Sequence, residues 1–128
     1  MDPEKRFVEA AWERWRRLGD ELKADVMEFN ERHDTASYSE DDGNRYRISN
    51  SESGLEIELV ADFGARVVRY RYRAMGSLSA GTPEGGMLSI RQSPRGAVEF
   101  YSADERLTSE ETRQVLLAPI LFPPQSAA

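Results

Sequence analysis

The sequence contains no cysteine and a single histidine, His33. The absence of thiols excludes disulfides, thiolate metal sites and cysteine nucleophiles. One imidazole cannot build a multi-histidine metal centre within one chain. Lysine is nearly absent as well: fifteen of the seventeen cationic residues are arginine, which fits a GC-rich bacterial coding sequence. Long apolar runs are missing too. The longest, Val115 to Phe122, has eight residues and includes Pro119, too short to span a bilayer. Met1-Asp2-Pro3-Glu4 shows no basic segment leading into an apolar one, so no secretory leader is expected. Together these absences point to a soluble, cytoplasmic protein. At 128 residues, 39% of them apolar, the chain is long enough to bury one core, and a single domain over residues 1–128 is expected.

Catalytic motifs are equally scarce. No P-loop or dinucleotide fingerprint occurs. Gly76-Ser77-Leu78-Ser79-Ala80-Gly81 is one residue too long for a nucleophile elbow, and Asp62-Phe63-Gly64 lacks the companion motifs of a kinase. Glu40-Asp41-Asp42 lacks the alternating ligands and distal glutamate of a calcium loop. His33, at the end of a helical segment, suits the helix dipole better than catalysis. No catalytic, cofactor or metal-binding residue is nominated, and the chain is expected not to be an enzyme.

What is present begins with the first thirty residues. Asp2 suits an N-cap and Pro3 the first helical position. Apolar side chains then recur every three or four residues at Val8, Ala11, Trp15, Leu18, Leu22, Val26 and Phe29, widened by Phe7, Trp12 and Met27. A helix over residues 3–33 is expected, with Gly19 as its weak point. From residue 44 the period changes to two. Tyr46–Ile48, Leu55–Leu59, Val68–Tyr72, Leu88–Ile90 and Val98–Phe100 read as half-buried antiparallel strands over residues 44–101, separated by Gly- and Asn-bearing turns. Asp34–Gly43 reads as an acidic loop, and Ala74–Gly86 as a longer connection. Thr108 followed by Glu111 is a capping box opening a short helix over 108–118, with residues 119–128 as a tail. The expected fold is α+β and two-layered, with a long N-terminal and a short C-terminal helix on one face of a four- to five-stranded antiparallel meander.

Charge is unevenly placed. Residues 1–44 hold thirteen acidic and seven basic side chains, whereas residues 45–128 hold ten of each. That distribution argues against nucleic-acid or anionic-membrane binding, which needs a basic face. Within the sheet, Arg45 and Arg47, Glu56 and Glu58, and Arg69, Arg71 and Arg73 fall on one face. A glutamate strand then lies between two arginine strands, a salt-bridged face that also fixes register. An anion platform made from these arginines is a weaker alternative.

Function is expected to lie in protein interaction. A thirty-residue helix is about 45 Å long, whereas a strand of six to eight residues spans about 20–27 Å. One end of the apolar stripe should therefore overhang the sheet. Trp12, Trp15 and Phe29 on the helix, with Ile120, Leu121 and Phe122 in the tail, are the interface candidates. A homodimer, with a further protein partner, is the expected assembly, and a chaperone, adaptor or regulatory subunit the expected role. The alternative is a small-ligand site or metal-independent enzyme with a pocket between sheet and helices, lined by Tyr46, Arg66, Tyr70, Tyr72 or Glu99.

Overall fold

The computed structural model describes residues 2–76 and 82–122. Residues 77–81 of the expected 74–86 connection, and residues 123–128 of the expected tail, lie outside the described residues. Among the described residues, helix α1 (Pro3–Asn30) is followed by seven strands and helix α2 (Ser109–Leu121). The strands are β1 (Ala36–Asp41), β2 (Arg45–Asn50), β3 (Leu55–Asp62), β4 (Val67–Ala74), β5 (Gly86–Gln92), β6 (Val98–Ser102) and β7 (Glu105–Leu107). Each pairs antiparallel with the next, so the sheet is a meander with spatial order equal to chain order.

The α+β class and the antiparallel sheet agree with the expectation, but the strand number does not: there are seven strands rather than four or five. The two additional strands are the sheet edges. β1 replaces the expected acidic loop, and only Ala36 and Tyr38 of its six residues are partly buried. An edge strand whose remaining residues are Ser, Glu and Asp carries only that short Ala36–Tyr38 alternation, and pairing with β2 is what marks it as a strand. β7 has three residues, too few to show a period.

The helix bounds also differ. α1 ends at Asn30, not His33. The Asn30 side chain turns to the backbone of Ala36, donating to its carbonyl at 2.8 Å and accepting from its amide at 3.0 Å, which closes the helix–strand corner. α2 runs through Pro119 to Leu121 instead of stopping at 118. Pro119 has no N–H for the Val115 carbonyl four residues back. The Tyr72 hydroxyl lies beside the exposed end of that turn, 3.3 Å from the Val115 carbonyl and 2.8 Å from that of Leu116. One turn further, the Asn50 amide donates to the Ile120 carbonyl at 2.9 Å. Sheet residues thus satisfy carbonyls that the proline and the helix end leave open.

Tyr46 and Asn50 lie on the same face of β2, and they reach α1 and α2 respectively, so both helices cover one sheet face. The expected overhang does not occur. Phe7, Ala11, Trp15, Leu18, Leu22, Val26 and Phe29 are all buried within one chain, Val8 and Trp12 are half-buried, and Met27 alone of the stripe is exposed. Seven strands make a sheet about 29 Å wide at about 4.8 Å per spacing. α1 crosses that width, touching both β1 and β6. α2 covers part of the rest, its Arg113 and Phe122 meeting Asp25 and Phe29 near the end of α1.

Candidate functional site

The interface candidates named from sequence have different surroundings. Trp15 is fully buried, stacked on Tyr46 at 4.1 Å with its indole N–H donating to the Gly43 carbonyl at 2.7 Å. Trp12 is half-buried against Phe63, 4.5 Å between ring centroids. Ile120 and Leu121 are core residues, and Phe29 is buried except for the edge that meets Phe122. Phe122 alone of the six is open to solvent, with 61% of its surface exposed.

Phe122 stands at one end of a groove of about 580 Å³ between the last turns of α1 and the length of α2. Its position follows from helical periodicity. Asp25, Glu28 and Phe29 lie along one side of α1, with Arg32 in the turn just beyond it, and Glu110, Arg113, Gln114 and Leu117 repeat at three- and four-residue steps on α2. The two rows face each other. Of its apolar lining, Phe29 and Leu117 are buried and Phe122 is exposed, and the carboxylates of Asp25, Glu28, Glu31 and Glu110 outnumber the cations Arg32 and Arg113, which leaves an acidic rim. His33 stacks on Phe29 at 4.2 Å and contacts the Glu52 carboxylate at 3.1 Å, at the mouth of the groove. Among the described residues Glu28, Glu31 and Glu110 make no ion pair, whereas Asp25 is paired with Arg113 at 3.1 Å. Burial raises the Asp25 pKa from its ordinary value. The Arg113 charge opposes that shift, and Glu28 and Glu21 add to it.

Behind the groove the ion pairs continue into the core. Arg113 also approaches Glu21 at 3.8 Å, and Glu21 approaches Arg14 at 3.6 Å. Arg14, 3% exposed, lies over the Phe100 ring, donates to the Ser109 hydroxyl at 3.1 Å and sits 4.0 Å from Glu99. Its Nε and Nη1 lack hydrogen-bond acceptors, as does the Arg113 Nε, and Glu21 Oε1 lacks a donor. Burial and the Arg17 charge lower the Arg14 pKa, with Glu21 and Glu99 opposing. Sequence reading missed Arg14, although its spacing from Ala11 and Leu18 puts it on the apolar stripe. Asp25 and Glu28 fall on the charged side of the helix, opposite the apolar stripe, where a solvent-facing position is the ordinary expectation. Nothing in one chain's periodicity shows that a second helix will run beside them.

The named sheet charges lie together on the face away from the helices. Arg47 and Arg71 flank Glu58 in register, at 3.2 and 3.1 Å, with Arg45 at 4.0 Å. Arg73 pairs with Glu56 at 2.7 Å and Arg69 with Asp62 at 3.3 Å. Burial alone would raise the Glu58 pKa. The Arg47 hydrogen bond and the charges of Arg71, Arg45 and Arg47 outweigh it and hold the carboxyl below its ordinary value. The guanidinium groups are thus already engaged with carboxylates, which leaves little free charge for an external anion.

The residues named for a pocket between sheet and helices do not converge. The Tyr46 hydroxyl donates to the Trp15 carbonyl at 2.9 Å, and the Tyr72 hydroxyl is held by α2. Tyr70 covers Gly86. Arg66 stacks over Phe7 and pairs with Glu4 at the far end of α1, and Glu99 sits beside Arg14. Burial raises the pKa of each of these three tyrosines, so the phenols stay neutral at physiological pH. Among the described residues no cluster of three or more His, Asp or Glu side chains could hold a metal ion, and no helix is long and apolar enough to cross a membrane. Compared with known protein families, curated proteins and solved structures, the chain matches none.

Proposed function

We propose that this protein is a cytoplasmic interaction module of the chaperone, adaptor or regulatory-subunit kind, and that a partner polypeptide docks in the α1–α2 groove. One observation carries the reading. The Phe122 ring stands exposed at the groove, backed by the buried Phe29 and Leu117, while most of the long apolar stripe of α1 is packed inside the chain. An exposed large aromatic side chain beside a concave surface is what a docking anchor requires. The ligand-pocket and enzyme alternative has less support, because its candidate residues are scattered and already hydrogen-bonded or ion-paired.

Selection of peptides from a displayed random library against the full chain tests the reading. Peptides recovered should lose binding to Phe122→Ser and to Gln114→Arg, while both variants keep the wild-type unfolding midpoint. Peptides that bind all three proteins equally would contradict it. A homodimer is a second reading, favoured by the same exposed Phe122 ring. Light scattering over a concentration range separates the two. A mass near 14.5 kDa leaves the groove free for another chain, and a mass near twice that value that Phe122→Ser returns to the monomer's assigns the groove to a second copy.

A further inference from the structure

The character of the occupant is written in the rim of the groove, on the reading that the groove is a docking site. Three of its carboxylates, Glu28, Glu31 and Glu110, have no cationic partner among the described residues, and a fourth, Asp25, shares Arg113 with Glu21. Like charges gathered along one groove repel one another, and an arriving cation relieves that repulsion. Beside the carboxylates stands the exposed aromatic ring of Phe122, and Arg32 and Arg113, the two cations of the lining, leave the rim with a surplus of negative charge. A second copy of the chain fits poorly, because it would set one acidic rim against another. An anionic lipid surface or a nucleic acid meets the same repulsion.

We propose that the α1–α2 groove binds a short cationic polypeptide segment carrying one apolar anchor. The anchor seats against the exposed ring of Phe122, and flanking lysine or arginine side chains face Glu28 and Glu31 on one wall and Glu110 on the other. The arrangement is a groove between helices with an exposed aromatic ring for affinity and charged walls for partner choice.

Fluorescence anisotropy of three dye-labelled, end-capped peptides against the full chain tests it: Lys-Lys-Leu-Phe-Lys-Lys, Ser-Ser-Leu-Phe-Ser-Ser and Glu-Glu-Leu-Phe-Glu-Glu. The lysine peptide should bind roughly tenfold tighter than the serine peptide at low salt, the sum of a few exposed charge pairs. That advantage should shrink as salt rises. The Glu28→Gln/Glu31→Gln double variant should remove most of the advantage without shifting the unfolding midpoint. Phe122→Ala should weaken lysine and serine peptides alike. Equal binding of the lysine and serine peptides, both still sensitive to Phe122→Ala, overturns the charge inference and leaves the docking site standing. Binding that ignores both the glutamate pair and Phe122 overturns the inference and the docking site together. A dimer that dissociates on Phe122→Ala overturns the inference in favour of a second copy.

Discussion

At the scale of single residues, Gly19 shows how tightly α1 is fitted to the sheet. In a helix interior, Gly→Ala ordinarily stabilises by about 1 kcal/mol. Here an added Cβ would stand 2.5 Å from the Tyr46 hydroxyl oxygen and 3.0 Å from that of Tyr38. The Tyr46 hydroxyl reaches the Trp15 carbonyl, one helical turn before Gly19, because no side chain stands at position 19. Overpacking of that kind costs about 1–3 kcal/mol, so Gly19→Ala should lower the urea midpoint, against the usual propensity trend. Trp15 is fully buried and stacked on the same tyrosine. Trp15→Ala should cost roughly 3–5 kcal/mol in equilibrium unfolding. Arg14 is the opposite case, a buried cation with two unsatisfied nitrogens whose carboxylate neighbours keep some solvent contact. Arg14→Met fills a similar volume without the desolvated charge and should leave stability within about 1 kcal/mol of wild type, whereas Arg14→Glu should cost roughly 3–5 kcal/mol.

At the scale of elements, the charged sheet face makes a pH prediction. Glu58 titrates below its ordinary value in the folded state, held there by arginines of β2 and β4. A lowered folded-state pKa means stability that is present above the ordinary carboxylate pKa and is lost as pH falls through the folded value. Urea midpoints of wild type and Glu58→Gln should therefore differ near neutral pH and converge in acid. A constant difference would mean that packing, not charge, carries the role of Glu58. The charge alternation of this face was legible in sequence because β2, β3 and β4 each show a strict period of two. β1 was not, since an edge strand rich in Ser, Glu and Asp looks like an acidic loop until its backbone pairs with β2. β7 was too short to read. The end of α2 was misplaced because Pro119 normally stops a helix, and only the three-dimensional approach of Tyr72 shows how its neighbouring carbonyls are satisfied. The candidate site was half legible. Phe29 and Phe122 were named as interface residues from their size, but the carboxylates around them gained meaning only when α2 was placed beside α1.

At the scale of the whole molecule, a helix longer than any strand is nevertheless covered within one chain. The sheet is wide enough, and α2 long enough, to cover the stripe of α1 from Phe7 to Phe29. What remains open is a groove at one end of the molecule, and its acidic rim belongs partly to the residues that give the N-terminal third its negative surplus. The opposite face of the sheet presents paired charges. The two surfaces thus differ: the sheet face pairs its charges, and the groove offers unpaired carboxylates beside the exposed Phe122 ring. The central claim is that binding is confined to the groove. Titrating the isotope-labelled chain with the Lys-Lys-Leu-Phe-Lys-Lys peptide, and following backbone amide shifts, tests that claim directly. The account predicts perturbations concentrated in residues 25–33 and 110–122; perturbations centred on Arg45–Arg47 and Arg69–Arg73 of the sheet face, or none at any site, would contradict it.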